Sequence, residues 1–226
     1  MSHGHHGPHG DRHGARQPDR FDPARAAILD DTARFAYVPP ERLLDELALE
    51  PSATLVDFGA GTGLYAIALA QRRPDLRVVA LDEQPAMLQH LRASIERAAV
   101  PNVEAADPAA TAALHGRADA VLALNVLHEV GDAALAELRS LLRPDARALF
   151  VDWSADVDRP VGPPRDHVYS RDEAVRRLEA AGFAVEAREP LPYHFVLRAR
   201  RKGPEVEVVA SSFDAPPRAS SEAGPR

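Results

Sequence analysis

Thr54-Leu-Val-Asp-Phe-Gly-Ala-Gly-Thr-Gly63 is a short apolar run, then an acid, then three glycines at alternate positions, and the apolar segment Leu64 to Leu69 follows it. That order predicts a buried strand, a tight loop and a helix start. Glycines at 59, 61 and 63 strip Cβ atoms from one side of the loop, so a ligand can approach the backbone. A second stretch, Leu76-Arg-Val-Val-Ala-Leu-Asp82, reads as another buried strand ending in an acid. Asp82 follows the glycine loop by about 20 residues, the spacing at which a strand-end carboxylate meets a ribose diol in βαβ nucleotide folds.

The dinucleotide fingerprint G-x-G-x-x-G is not met, because its third glycine would fall on Leu64. Asp57, two residues before the first glycine, would repel a pyrophosphate and attract a ligand carrying an ammonium and a sulfonium. S-adenosylmethionine is such a ligand, with an adenosine for Asp82 and a cationic end for the Asp57 side.

Val56-Asp-Phe-Gly-Ala-Gly-Thr-Gly63 together with Val79-Ala-Leu-Asp82 resembles the S-adenosylmethionine site of the class I methyltransferases. Within that class the chain is most similar to the small stand-alone methyltransferases related to ubiquinone/menaquinone-biosynthesis C-methyltransferases, from Phe35 to Arg201. The resemblance implies an α/β, Rossmann-like doubly wound sheet of seven strands in order 3-2-1-4-5-7-6. It implies Asp57, Gly59, Gly61, Gly63 and Asp82 as cofactor-binding residues. Met87 is read as core or as a pocket wall near the adenine, not as a metal ligand. Asp107, after the third strand, would accept from the adenine amino group or cap the helix starting at Pro108. Asn125, after the fourth strand, would sit beside the sulfonium or ribose. The chain departs from the family wording at Asp107-Pro-Ala-Ala-Thr111 and at Arg143-Pro-Asp-Ala146.

Composition narrows the partners. The chain has 226 residues, 45% of them apolar, which favours one domain with short tails. A net charge of −7 offers no broad basic footprint for nucleic acid. No apolar run approaches a membrane span and no signal-peptide pattern opens the chain, so the expectation is a cytoplasmic protein without stable membrane association. The absence of cysteine excludes disulfides, zinc–thiolate sites and a thiol nucleophile. A small-molecule methyl acceptor is the expected partner.

Residues 1–20 form a His/Gly-rich segment with nothing apolar to bury, expected to be disordered. His3, His5, His6, His9 and His13 there are either weak divalent-metal ligands or an inert tail. Residues 21–202 are read as the domain, with residues 21–50 as helical pieces over the cofactor site. Asp22-Pro23 and Pro39-Pro40 open those pieces, and Phe35 and Tyr37 are lid aromatics or packing on the sheet edge. Residues 203–226 are expected to be a disordered tail, with a weak edge strand over 205–210.

Ionisable groups at strand ends carry the candidate chemistry. His128 and Glu129, after the fourth strand, are a possible base and its orienter, or a structural hydrogen bond. Pro144-Asp145 is read as a turn into a fifth strand over Ala148–Trp153, and Asp132 as the cap of the preceding helix. Trp153 is a stacking surface for a planar acceptor, or a core plug. The proline-rich loop over 154–169 is read as an acceptor cover, with His167 a second candidate base. Ser170–Glu173 is a capping box. The last two strands have no helix between them and predict an antiparallel hairpin, with Tyr193 and His194 near the acceptor. Methyl transfer is a direct displacement from an activated donor, so alignment and water exclusion matter more than a triad. The competing readings are a metal-buffering or non-catalytic cofactor-binding protein and an NAD-dependent oxidoreductase. The last fails on Leu64, Asp57 and the hairpin.

Overall fold

The computed structural model describes residues 20–203. The tail histidines and the possible edge strand over 205–210 lie outside them. Seven strands form one sheet: β1 Thr54–Phe58, β2 Arg77–Leu81, β3 Val103–Ala106, β4 Ala118–Leu124, β5 Leu142–Trp153, β6 Phe183–Ala187 and β7 His194–Arg201. Their order is β3-β2-β1-β4-β5-β7-β6, the order implied by the resemblance. The first five run parallel, and β7 pairs antiparallel with both β5 and β6.

Helices cover both faces, which is why the central strands are apolar almost throughout rather than alternating. On one face, Leu43 and Leu47 of α1 (Pro40–Leu47), Ala66 and Leu69 of α2 (Leu64–Arg72), and Leu88 and Leu91 of α3 (Pro85–Ala98) pack on Leu55, Val78, Leu122, Leu149 and Val151. On the other, Leu114 of α4 (Pro108–Leu114), Leu135, Leu138 and Leu141 of α5 (Asp132–Leu141), and Leu178 of α6 (Arg171–Ala180) meet Val56, Val121, Phe150 and Phe195. Each fully buried leucine contributes about 2 kcal/mol through the surface it removes from water.

Local signals account for most boundaries. Ser170 and Glu173 form the reciprocal capping box of α6, and Asp107 caps α4 by accepting from the Ala109 and Ala110 amides. Residues 23–28 and 32–36 are 3-10 turns capped by Asp22 and Asp31. Two expectations are corrected. Gly131, not Asp132, is the N-cap of α5, and Asp132 is its first helical residue. The fifth strand starts at Leu142. Its register with β4 jumps from Ala118↔Leu142 to Ala120↔Arg147, so Pro144 and Asp145 (φ 58°) fall in an irregularity inside the strand. Proline lacks an N–H and is tolerated at such a break in the ladder. Among the described residues no helix is long and apolar enough to cross a membrane.

Candidate functional site

The carboxyl ends of β1, β2 and β4 open onto a cavity of about 950 Å³, within the range of small-molecule sites. Its wall includes Asp57, Gly59, Gly61, Thr62, Tyr65, Asp82, Met87, Asn125 and Glu129, and from the N-terminal segment Phe21, Leu29 and Arg34.

The glycine loop is held by its own hydrogen bonds. The Gly59 and Ala60 amides donate to the Leu81 carbonyl (2.8 and 2.9 Å), and Gly63 donates to Ala60 (3.0 Å). Gly61 N donates to Asp82 Oδ2 (2.9 Å), while Gln84 N donates to Asp82 Oδ1 (2.9 Å). Asp82 therefore ties the loop to the exit of β2, and each oxygen keeps a lone pair for a further donor. All three glycines have positive φ. A Cβ at Gly59 would lie 2.3 Å from Val126 Cγ2, and one at Gly63 2.5 Å from Leu91 Cδ1. These glycines are needed first for backbone conformation and protein packing. Gly63 does not reach the cavity wall.

Asp57, one residue before the end of β1, is only 3% exposed. Burial, and then the charge of Asp82, push its carboxyl up to about 7, with Arg34 pulling the other way. Burial also raises Asp82, against its two backbone donors. Arg34 lines the cavity, donates to the Leu29 carbonyl (3.0 Å), stands 5.2 Å over the Tyr65 ring, and makes no ion pair with a carboxylate among the described residues. Asn125 takes a left-handed backbone (φ 56°) that asparagine tolerates. Its Oδ1 and Thr62 Oγ1 are buried without a hydrogen-bond partner. Each such atom costs about 1–3 kcal/mol until something bonds to it.

The N-terminal segment straps this cavity. Phe21 N donates to Glu129 Oε2 (3.1 Å), Phe21 O accepts from Gln84 Nε2 (3.3 Å), and Arg20 pairs with Glu83 (3.1 Å).

His128 faces Asp152. Its Nδ1 lies 2.7 Å from Oδ1 and its backbone N–H donates to Oδ2 (3.2 Å), whereas Glu129 Oε1 is 3.5 Å from Nε2. Asp152 rather than Glu129 orients the ring. Burial opposes its charge, but the Asp152 carboxylate and then Glu129 outweigh that and raise His128 to about 10. The ring keeps its proton at neutral pH. Arg177 fastens the loop from below, donating to the carbonyls of Leu127 (2.8 Å) and Val130.

The other expected residues group elsewhere. Trp153, His194, Tyr37 and Tyr193 form one aromatic cluster: His194 lies 4.1 Å from Trp153 and stacks on Tyr37 at 5.8 Å, and Tyr37 is 5.7 Å from Tyr193. None of the four is part of the cavity wall, and neither are His128, Asp107 and His167. His167 lies in the 3-10 turn of residues 165–167. Arg34 had no role in the sequence, and Asp152, expected with Trp153 at the sheet edge facing the acceptor, was not paired there with His128. An acid one residue before Trp153 at a strand end was the available signal for Asp152; an arginine in an irregular segment carries none. Among the described residues no group of three or more potential ligands forms a metal site.

The parallel sheet closed by an antiparallel hairpin, with an acid before the glycine loop, is the arrangement of the class I S-adenosylmethionine-dependent methyltransferases, and the comparisons with known proteins support that class for this chain. Residues 55–145 match the family described as methyltransferase domain. The chain is 31% identical over 156 residues to a trans-aconitate 2-methyltransferase of Enterobacter sp. (strain 638), covering 68% of this chain and 56% of that protein. It is 37% identical over 78 residues to a cobalt-precorrin-6B C(15)-methyltransferase (decarboxylating) of Salmonella typhimurium, covering 34% and 41%. Thus the chain spans about half the length of these curated relatives. A solved structure of a SAM-dependent methyltransferase from Aquifex aeolicus superposes with a TM-score of 0.72 at 29% identity, over 80% of this chain and 98% of that one. Shorter matches run to a release factor glutamine methyltransferase and a ribosomal RNA small subunit methyltransferase G. The finer likeness to ubiquinone/menaquinone C-methyltransferases is minor beside these.

Proposed function

We propose that this chain is an enzyme that binds S-adenosylmethionine in the cavity and passes its methyl group to a small-molecule acceptor by direct in-line displacement. The observation that carries the reading is the pairing of a buried acid, Asp57, with an arginine free of carboxylates, Arg34, in one cavity. A methionine end is zwitterionic, and these two groups match its ammonium and carboxylate. Asp82 keeps acceptor capacity for a ribose diol, Met87 offers an apolar wall to the adenine, and the unpartnered Asn125 Oδ1 and Thr62 Oγ1 are open to donors or a bridging water. The cofactor supplies an already activated methyl group. The protein's part is to bind, align and exclude water.

Residues 21–50 then act as the lid, with Glu129 and Gln84 gripping the Phe21 backbone from opposite sides. The acceptor side is the aromatic group of Tyr37, Trp153, Tyr193 and His194. His128, held protonated by Asp152, serves as a fixed positive group at the end of β4 rather than as a base near neutrality. A small acceptor is favoured by the chain's net charge of −7 and by the first relative, which is named for trans-aconitate.

Transfer from tritium-labelled S-adenosylmethionine to a cell extract separated into metabolites, RNA and protein tests this. Label is expected in the metabolite fraction, with the demethylated cofactor formed in equal amount. Label confined to RNA or protein would rule out the small-molecule acceptor.

A further inference from the structure

At one edge of the sheet stands β6, paired only with β7 among the described residues. The strand registers fix which side chains share a face there. Across β5 and β7, Arg147 stands opposite Arg200, Leu149 opposite Arg198 and Val151 opposite Val196. Across β6 and β7, Ala184 and Glu186 stand opposite Arg200 and Arg198. Leu149, Val151 and Val196 belong to the core that packs on α1, so Arg147, Arg198 and Arg200 continue that face past the helix. No β6 residue belongs to that core, and Ala184, Glu186 and Arg200 are exposed. Like charges directly opposite each other on neighbouring strands repel. Arg198 has Glu46 (2.8 Å) and Glu186 has Arg188 (2.6 Å). Among the described residues, Arg147 and Arg200 have no carboxylate in ion-pair reach. Burial, and then Arg198 and Arg200, lower the Arg147 guanidinium from its ordinary value, and only Glu50 acts the other way. Three neighbouring arginines, two of them without an acid, thus line an open stretch of sheet.

The chain leaves β7 beside this face. Lys202 N donates to Gly182 O (2.9 Å) where β6 begins, and Gly203-Pro204 then reads as a turn. Glu205-Val-Glu-Val-Val209 follows, with acid and apolar residues alternating over its first four positions. Passing from β7 to the outer side of β6 takes two strand spacings, about 10 Å, which three extended residues cover. Helix α6 packs on the opposite face, against Phe183, and leaves the passage on the arginine face clear. We propose that residues 205–209 pair with the outer edge of β6 as an eighth strand, with Glu205 and Glu207 on the arginine face and Val206 and Val208 on the other.

Side chains alternate across a strand, so one register serves both faces. Two carboxylates come within side-chain reach of the two guanidiniums that have none, and a guanidinium–carboxylate pair is a strong match. The two valines extend the apolar strip that ends at Val185, which is half-buried against the core under α6. The outward N–H and C=O groups of β6, which no described backbone group takes, gain partners. A free strand edge is also a template for another chain, so a segment of the same chain seated there keeps copies apart.

Hydrogen exchange of the full chain, read by mass spectrometry at several protein concentrations, tests this, with light scattering to give the oligomeric state. Residues 205–209 and residues 183–187 of β6 are expected to be protected together, at every concentration, in a monomer. Glu205→Lys combined with Glu207→Lys should speed exchange of both segments at least about tenfold and leave β1, β2 and β4 unchanged. Adding Arg147→Glu and Arg200→Glu to that pair should recover part of the protection, because the charges are then exchanged rather than opposed. Val206→Asp should act like the first pair. Glu205, Val206 and Glu207 follow the folded domain in sequence, so their variants remain informative if the arginine substitutions do not fold. Residues 205–209 exchanging as fast as an unstructured peptide, or a charge-reversed chain equal to wild type, would overturn the proposal. Protection that appears only as the protein dimerises would overturn it too, by putting a second copy on β6 in place of the chain's own segment.

Discussion

Asp57 carries an unusual burden for a single side chain, an acid at the floor of a cavity with its carboxyl raised to about 7 by burial and by Asp82. Below that pH the free protein holds the proton. A bound ammonium favours the carboxylate, so binding must release the proton there and not above it. S-adenosylmethionine affinity is therefore expected to rise with pH toward neutrality and then level off, with a proton released in acidic buffers. Titration calorimetry in buffers of different ionisation enthalpy reads that release, and Asp57→Asn should abolish it. A second expectation concerns Gly59. Alanine there meets Val126 at 2.3 Å and a φ of 76°, and should cost about 2–4 kcal/mol from strain and overpacking. At Gly116, where φ is 66° but nothing lies within 4 Å of a Cβ, the same change should cost only about 1 kcal/mol. Chemical denaturation of the two variants compares them. The glycines were legible as a motif, but their reason was not, because Val126 and Leu91 come from distant segments. The partner of Asp152 was equally hidden, lying 24 residues away.

The helix α1 shows how an element is fixed by one buried charge. Glu46 is 5% exposed and takes Arg42 on Oε1 (2.8 Å) and both Arg188 (2.9 Å) and Arg198 (2.8 Å) on Oε2. Burial would raise its carboxyl, but Arg188, Arg42 and Arg198 together hold it below the ordinary value. A lowered folded value means that its stabilising effect is present above the unfolded carboxylate range and is lost as pH falls through the folded one. Glu46→Ala removes the carboxylate shared by the part-exposed Arg42, Arg188 and Arg198, of which Arg188 keeps Glu186, and is expected to lower stability at neutral pH. Thermal unfolding at neutral and acidic pH should show the difference between variant and wild type shrinking in acid. At this scale the sequence was readable wherever a continuous apolar run or a capping residue marks an element, as at β1, β2, β4 and α6. It was unreadable where a breaker sits inside an element. Pro144 and Asp145 look like a turn, yet the ladder with β4 resumes at Arg147 and the strand already begins at Leu142.

For the whole molecule, strand order follows from helices separating five parallel strands and from the one pair without a helix, which the chain states openly. The cavity's position at the carboxyl ends of β1, β2 and β4 follows from that order. Its closure and its acceptor side do not, since they depend on irregular pieces: the strap over residues 20–36, the loop over 154–169, and rings brought together from Tyr37, Trp153 and His194. Such segments have no periodicity to read. We propose that this cavity takes a sulfonium amino acid nucleoside rather than a dinucleotide. Calorimetric titration of the full chain with S-adenosylmethionine and S-adenosylhomocysteine, with NADH in parallel, addresses it directly. Micromolar binding of both sulfur ligands, strong weakening of both by Asp82→Ala, and no heat from NADH are expected. Folded protein that binds NADH, or that binds neither sulfur ligand, would contradict it.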